Sequence, residues 1–477
     1  MKLKQWWIGL MVGVSLAVVC GVSVADEAAV AEGPESGWDS FWAKFHNPTP
    51  WLQMGLDHRF RTIYAENIDT LNDDNAQSIY NFQRYRTRWW AKWILGEDID
   101  FNTRLTWEFR TWADPPRRPQ ATDFDEVLFD RFNITLRNMF GMPLTGVIGR
   151  QDVILGVGWL MLDGTPLDGS RTIFTDSARF TYDWAAKKTK LDMIYVDNGA
   201  KTDRWLKPLG DEHRALTEQD EHGAVLYLTN TSIENVQLEG FFMYKNDNPI
   251  DSAVTNMPAQ WTRKAEIYTF GGAIAGTPAE RWKYRAEAAI QTGEKSDITS
   301  GLSAGTMRDL EAYGALTNLE YLFNDARSNS LHVGYEYASG DDPATADNEQ
   351  FDLLWAEWPR WSELYIYTYT NETMIAESTN LHRLNVGHKF KPCKAWEIST
   401  DYHALWADEM GQPWNPGGLT LGSSRFRGHL ITCWAKYKYG THIAGHLLGE
   451  YLIPGDYYAA VNNDEAFWLR FNLEYTF

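Results

Sequence analysis

Apolar and polar residues alternate with a period of two along most of the chain after Trp51. In residues 84–95 the charged side chains share one face, and most of the Trp, Tyr and Thr side chains share the other. Residues 101–110, 282–291 and 467–477 repeat this pattern. Successive side chains of a strand point to opposite faces, so the alternation predicts β-strands, each with one polar and one apolar face.

The length of these segments indicates where the strands lie. Several alternate for ten residues or more and carry Trp or Tyr at their edges. A strand of a soluble sheet has about five or six residues, whereas a tilted strand that crosses a membrane needs about 9–11. Aromatic rings favour the level of the lipid headgroups. The pattern therefore favours a transmembrane barrel over a soluble β-sandwich, whose strands also alternate.

Two lengths of connection separate the predicted strands, as in outer-membrane barrels, which have short periplasmic turns and longer external loops. Eight short turns are predicted near residues 96–98, 141–143, 185–186, 231–232, 277–278, 324–325, 391–393 and 440–441. Nine longer connections are predicted near residues 66–79, 114–125, 152–173, 199–221, 247–261, 294–309, 340–379, 408–424 and 453–463. These seventeen connections give an all-β, antiparallel up-and-down barrel of eighteen strands over residues 51–477. Such a barrel encloses an aqueous lumen.

Three stretches complicate the strand count. Residues 364–370, Leu-Tyr-Ile-Tyr-Thr-Tyr-Thr, also have the pattern of a strand. A further crossing there would move the turn at 391–393 to the wrong side, so we assign the segment to the connection 340–379. Predicted strands within 223–230 and 425–452 alternate poorly.

The segment before the barrel has two predicted parts. Residues 1–25 have the charged start, the apolar stretch and the small residues before Ala25 that are typical of a secretory signal peptide. Residues 26–50 are predicted to form a periplasmic leader. Four aromatic residues recur in it at helical spacing: Trp38, Phe41, Trp42 and Phe45. They predict a short amphipathic helix at the periplasmic mouth, with an unstructured leader as the alternative for so short a segment.

Composition restricts the class of protein further. The 477 residues include 23 Trp, 23 Tyr and 22 Phe, yet the mean hydropathy is −0.43. This combination argues against a disordered chain and against a helical membrane bundle. Three Cys residues argue against a disulfide scaffold. The formal net charge of −20 argues against a nucleic-acid partner.

Motifs for catalysis or metal binding are weak. Residues 301–305 match the G-x-S-x-G pattern, but a nucleophile elbow needs a strand before it and a helix after it. A barrel enzyme that acts on lipid or glycan would have Ser303 and His332 as candidates. The acidic residues of 341–349 fit no EF-hand spacing, so we interpret them as solvated loop charge rather than a calcium site. We expect no catalytic activity, cofactor or metal ion.

Arginines dominate the polar faces of the first three predicted strands. Seven arginines, Arg59, Arg61, Arg84, Arg86, Arg88, Arg104 and Arg110, share these faces with two acids, Asp57 and Glu108. A guanidinium group stays charged and binds carboxylates in a planar fork, so the cluster predicts an anion-selective constriction. The alternative is that the arginines pair with acids of facing strands and brace the barrel. The candidate acids are Glu287, Glu397, Asp401 and Glu474.

Several motifs resemble those of the bacterial alginate-export family of outer-membrane barrels, and they extend over nearly the whole chain after the signal peptide. They are Asn47-Pro48-Thr49-Pro50 with Asp57-His58-Arg59-Phe60-Arg61, Gly149-Arg150-Gln151-Asp152 with the segment 162–171, Ser339-Gly340-Asp341-Asp342-Pro343, and Gly445-His446-Leu447-Leu448-Gly449-Glu450 with Pro454-Gly455-Asp456-Tyr457. The resemblance implies a monomeric barrel of eighteen strands whose arginine-lined pore releases an anionic polysaccharide. It implies a pore lining of Arg59, Arg61, Arg84, Arg86, Arg88 and Arg150.

The resemblance also implies partners and a location. The C-terminal Phe477 resembles the signal that the outer-membrane assembly machinery recognises. We therefore expect a channel in the outer membrane of a Gram-negative-type bacterium, in contact with its lipid. It is expected to pass an alginate-like polysaccharide or another anionic solute. The alternative on the same architecture is a general porin for the uptake of small solutes.

Overall fold

The chain forms a closed antiparallel β-barrel. The computed structural model describes residues 37–75, 78–114, 127–163, 174–201, 204–210, 216–217, 219–249, 264–297, 305–373, 375–411 and 417–477. These residues contain two α-helices, α1 (Gly37–His46) and α2 (Leu364–Thr373), and twenty strands. The strands are β1 (Leu52–Glu66), β2 (Ile79–Ile94), β3 (Ile99–Asp114), β4 (Leu128–Leu136), β5 (Leu144–Gln151), β6 (Val153–Ile154), β7 (Leu162–Asp163), β8 (Thr175–Trp184), β9 (Thr189–Asn198), β10 (Asp220–Asn230), β11 (Val236–Asn248), β12 (Ala265–Ala279), β13 (Trp282–Ser296), β14 (Met307–Leu322), β15 (Ser330–Ala338), β16 (Leu381–Cys393), β17 (Trp396–Trp406), β18 (Phe426–Tyr439), β19 (Ile443–Pro454) and β20 (Ala466–Thr476).

Eighteen of the described strands form the barrel, which confirms the predicted fold class. Each barrel strand pairs with its neighbours in the chain, and β1 pairs with both β2 and β20, which closes the sheet. Closure leaves the barrel sheet without a free edge strand, as a lipid environment requires. The strands β6 and β7 form a separate small hairpin in the connection after β5.

The connections alternate between short and long as predicted, with small shifts at two turns. Residues 277–278 belong to β12 and residues 391–393 to β16, so both turns lie about two residues later than expected. The strand register shifts between Gly276 and Ala279 and between Phe390 and Cys393. These irregularities break the alternation near the strand ends, which explains why the sequence pattern there resembles a turn.

The long connection between β15 and β16, which we call the inner loop (residues 339–380), contains a helix. Residues 364–370 belong to α2, so the strand that their pattern suggests is wrong. Their assignment to this loop is confirmed. The Ser362 hydroxyl accepts a hydrogen bond from the backbone N–H of Tyr365 at 3.0 Å, which is the geometry of a helix N-cap. Helical spacing brings Tyr365 and Tyr369 onto one buried face.

Apolar side chains fill much of the lumen at the end of the barrel that carries the long loops. One buried cluster joins α2 to inward-facing residues of β1, β2 and β16–β20 and includes Tyr80, Tyr365 and Trp468. A second cluster packs Trp159 and Phe351 of two loops against β9–β15. The expected aqueous lumen is therefore narrowed by loops that fold inward. The reason is that these loops carry large apolar side chains, whose burial is favourable.

The helix α1 packs at the end of the barrel that carries the short turns. The ring of Trp42 lies 4.1 Å from that of Phe477, and Phe45 lies 6.3 Å from the same ring. His46 Nδ1 lies 2.7 Å from the carbonyl oxygen of Met54 in β1. The predicted short helix is thus present and lies beside the β1–β20 junction. Residues 1–36, with the expected signal peptide, lie outside the described residues.

Among the described residues, no helix combines the length and the apolarity needed to cross a membrane.

Candidate functional site

The arginines of the first strands point into the lumen. Arg59 lies opposite Arg86, and Arg61 lies opposite Arg84, which in turn lies opposite Arg110. Residues directly opposite in a sheet share one face, so these side chains form adjacent rows. Their exposed fractions are small: 2% for Arg59, Arg61 and Arg86. The inward face is therefore the one predicted, and the guanidinium groups do not face lipid.

The last strand adds an arginine that the sequence analysis missed. Arg470 of β20 is 1% exposed and points into the lumen beside β1. It joins a set of inward-facing arginines on four adjacent strands, β20, β1, β2 and β3. We call this set the arginine cluster: Arg59, Arg61, Arg84, Arg86, Arg88, Arg110 and Arg470.

Glu108 lies in the centre of the arginine cluster. Its carboxylate accepts hydrogen bonds from Arg59 Nη2 at 3.0 Å and from Arg84 Nη2 at 2.6 Å. The side chains of Arg59 and Glu108 are fully buried. One carboxylate thus bridges two guanidinium groups, and the pairing holds neighbouring strands at a fixed spacing.

Asp57 forms the second bridge within the cluster. Both of its oxygens accept hydrogen bonds from Arg88 Nε, at 2.9 and 3.0 Å, and Arg86 Nη2 lies 3.6 Å from Oδ1. A third acid, Glu474 of β20, lies opposite Arg59 in the strand register. Each strand carboxylate therefore faces at least one arginine of the cluster.

A fourth carboxylate reaches the cluster from the inner loop. Glu363 Oε1 lies 2.9 Å from Arg470 Nη1. Arg61 lies beside this pair, and its Nε donates a hydrogen bond to Asn472 Oδ1 at 2.6 Å. Seven arginines of four adjacent strands thus surround Asp57, Glu108, Glu474 and Glu363.

Two predicted lining residues, Arg104 and Arg150, have acids of their own. Arg104 lies between Asp130, whose Oδ1 is 2.7 Å from Nε, and Asp152, whose Oδ1 is 3.0 Å from Nη2. Arg150 donates to both oxygens of Asp176, at 2.8 and 2.9 Å. These two arginines sit outside the cluster and match the bracing alternative, because carboxylates neutralise both.

The acids that the bracing alternative named have other described partners, with one exception. Glu287 contacts Arg285 at 2.6 Å, and Asp401 lies 2.6 Å from His332. Glu397 lies 3.8 Å from Lys391 and 3.9 Å from Lys436. Glu474 is the exception, because it faces Arg59. Most of the acids that do contact the arginines lie on the neighbouring strand or in a loop.

The inner loop crosses the lumen. Glu357 lies 3.7 Å from Lys245 of β11, and Glu363 lies 2.9 Å from Arg470 of β20. Following the strand pairings from β1, β11 and β20 are the ninth and the eighteenth barrel strands, so they stand on opposite sides of the ring. Two ion pairs only six residues apart in the inner loop therefore attach it to opposite walls.

Further ion pairs fix the inner loop to the wall. Asp352 Oδ2 lies 2.7 Å from Lys295 Nζ, and Glu372 lies 2.6 Å from Arg427 Nη1. Burial alone would raise the pKa of Asp352, but Lys295 and Lys245 together lower it below its ordinary value. The carboxylate is therefore ionised at neutral pH, and the loop is held by charge as well as by apolar packing.

A family model described as "Alginate export" matches residues 50–466. The chain belongs to the alginate-export family. No curated protein matches the chain with significant similarity.

Solved structures resemble this alginate-export barrel in fold. A BenF-like porin from Pseudomonas fluorescens Pf-5 has a TM-score of 0.54 at 11% identity, over 89% of this chain and 98% of that one. OccAB2 of Acinetobacter baumannii has a TM-score of 0.51 at 11% identity, over 89% of this chain and 98% of that one. OpdQ of Pseudomonas aeruginosa has a TM-score of 0.50 at 11% identity, over 89% of this chain and 97% of that one. At this identity the likeness concerns the fold. With the family, it indicates an outer-membrane channel.

The remaining candidates from the sequence of this alginate-export barrel are the catalytic residues and the acidic loop. Ser303 lies outside the described residues, and the described contact of His332 is with Asp401. In the acidic loop, Asp341 pairs with Arg308, and Glu349 accepts a hydrogen bond from the Thr345 hydroxyl at 2.6 Å. The described residues contain no group of three or more His, Cys, Asp or Glu side chains arranged for a metal ion.

Proposed function

We propose that the protein passes an anionic polysaccharide or another anionic solute through the outer membrane, with the arginine cluster as its selective constriction. The observation that carries this proposal is the concentration of arginines in the cluster. Seven guanidinium groups lie on the inward faces of four adjacent strands. Positive charge concentrated on one wall of a narrow lumen attracts anions and repels cations.

The chemistry of arginine supports the choice of an anionic polymer. Guanidinium groups keep their charge when buried and bind carboxylates through two parallel hydrogen bonds. Cluster members lie on four neighbouring strands, so successive carboxylates of a chain can meet successive arginines. The proposed lining comprises Arg59, Arg61, Arg84, Arg86, Arg88 and Arg110, with Arg470 added. Arg104 and Arg150 are proposed to brace the wall.

The inner loop is the part that must move for a polymer to pass. It crosses the lumen between β11 and β20 and packs its helix against β1 and β2. We therefore propose that the structure represents a narrow state. The wider state keeps the strands and displaces the inner loop.

Ion selectivity in planar bilayers tests the proposal. The purified protein is recorded under a KCl gradient, and a triple variant, Arg84→Gln with Arg86→Gln and Arg88→Gln, is compared with wild type. The matched control removes three paired inward arginines elsewhere: Arg179→Gln, Arg285→Gln and Arg383→Gln. Their carboxylate partners lie at 2.7, 2.5 and 2.8 Å. We expect the cluster variant to lose anion selectivity and the control to keep more of it.

A general porin would behave differently. Liposomes that contain the protein would then swell in every small neutral sugar at a rate set by sugar size, and both triple variants would have the same selectivity. That result would reject the anion-channel proposal and favour uptake of small solutes. Preference of the wild-type channel for potassium over chloride would also reject it.

A further inference from the structure

The first turn of α2 is clamped to the barrel wall by a single acid, Glu450 of β19. The Ser362 hydroxyl donates to Glu450 at 2.5 Å, and the backbone N–H groups of Glu363 and Leu364 donate at 2.9 and 3.0 Å. The two backbone N–H groups are among those that a helix N-terminus leaves without intrahelical partners. The clamp fixes the backbone from which the Glu363 side chain extends.

From this fixed origin, the Glu363 carboxylate reaches the arginine cluster. It forms the 2.9 Å ion pair with Arg470, and Arg61 and Arg84 are close enough to act on it. Burial alone would raise the pKa of Glu363, but Arg470 and Arg61 lower it below its ordinary value. The side chain of Arg470 is 1% exposed and that of Glu363 is 27% exposed. The carboxylate is thus ionised and open to the lumen, while the arginine is covered.

Glu363 differs from the other acids of the cluster in the element that carries it. Asp57, Glu108 and Glu474 lie on barrel strands, whose hydrogen bonds hold them in place. Glu363 lies on the inner loop, whose described residues contribute no strand to the barrel sheet and bridge to β14 at Asn348. Displacement of the loop removes one negative charge from the cluster and uncovers Arg470 beside Arg61.

We propose that Arg61 and Arg470 form a carboxylate-binding site in the lumen, which the Glu363 side chain occupies until a carboxylate of the transported anion displaces it. The inference rests on the proposed function and deepens it, because it assigns the site where the anion competes with the inner loop. A carboxylate on a sugar chain presents the same two oxygens to Arg470 as Glu363 does. Loop and ligand therefore exclude each other at this position.

Equilibrium binding of a short oligogalacturonate to the detergent-solubilised protein tests the site. Glu363→Gln keeps the size and the backbone contacts of the side chain but removes its charge, so we expect binding tighter by roughly fivefold or more. Glu349→Gln is the matched control, since it removes one charge from the same loop away from the cluster. This control should bind as wild type does. A neutral malto-oligosaccharide of equal length should show no tightening.

A double variant separates competition from a loosened loop. In Glu363→Gln with Arg470→Gln, the tightening should disappear, and circular dichroism confirms that each variant keeps its barrel. If Glu363→Gln binds the oligogalacturonate as Glu349→Gln does, or if the double variant stays tight, the inference is wrong. The binding measurement does not depend on ion flow through the channel, so it is independent of the selectivity test. Cation selectivity of the wild type would reject the proposed function, whereas unchanged affinity in an anion-selective channel would reject this site alone.

Discussion

Replacement of Glu372 by glutamine tests whether ion pairs hold the inner loop across the lumen. Both oxygens of Glu372 lie 2.6 Å from Arg427 Nη1, and the arginine side chain is fully buried. Removal of one partner of a buried pair costs about 3–5 kcal/mol because the remaining charge loses its counterion. The Tyr457 ring, 4.3 Å from the guanidinium carbon, offsets part of this cost. We therefore take the lower end, about 3 kcal/mol.

That cost falls on the narrow state, in which the loop is docked. At about 1.4 kcal/mol for each factor of ten, the open probability should rise by roughly two orders of magnitude. Glu372 also lines a cavity of about 430 Å³. Single-channel recordings of Glu372→Gln should show longer and more frequent open periods than those of wild type.

The control for this experiment is Glu409→Gln. Glu409 pairs with Arg425, whose side chain is 53% exposed, so the pair contributes less than about 1 kcal/mol. Open probability should stay close to that of wild type in this variant. Equal open probabilities for Glu372→Gln, Glu409→Gln and wild type would refute the argument that buried charge holds the inner loop in the lumen.

Three further predictions concern pH and stability. The pKa of Glu363 is lowered from its ordinary value of 4.5, so its ion pair persists above that pH and is lost as pH falls through the lowered pKa. Conductance should therefore stay constant down to about pH 5 and rise at more acidic pH. In Glu363→Gln, conductance should respond less to acid. Gly149→Ala should lower the free energy of unfolding in urea far more than Gly440→Ala does. Both glycines have positive φ, which alone costs about 1 kcal/mol for alanine, but only at Gly149 would the added Cβ meet a carbonyl oxygen. Arg150→Gln leaves Asp176 buried without its partner and should cost about 3–5 kcal/mol while the reversal potential stays that of wild type. An altered selectivity in this last variant would return Arg150 to the pore lining.

Strand number and the inward face of the arginines follow from the sequence because both depend on a local period of two. The conformation of residues 364–370 does not, since a run of Leu, Ile, Tyr and Thr suits a strand equally well. The capping contacts of Ser362 and Glu450 that favour a helix join positions 88 residues apart. Turns at the ends of β12 and β16 were displaced because register irregularities interrupt the alternation.

The sequence predicts part of the arginine cluster. The residues and partners that it misses share a physical cause. Arg470 alternates on the polar face of the last strand, so its inward direction could be predicted. Its place in the cluster follows from barrel closure, which brings β20 beside β1. Partners such as Asp130 and Asp176 were missed because the choice of counterion depends on strand stagger and loop path rather than on local pattern.

The reversal potential of the wild-type channel under a steep KCl gradient tests the central claim most directly. A lumen wall lined by the arginine cluster predicts a reversal potential displaced toward the chloride equilibrium potential. The displacement should be smaller at high salt because ions screen the wall. A reversal potential displaced toward the potassium equilibrium potential, at low and high salt alike, would contradict it.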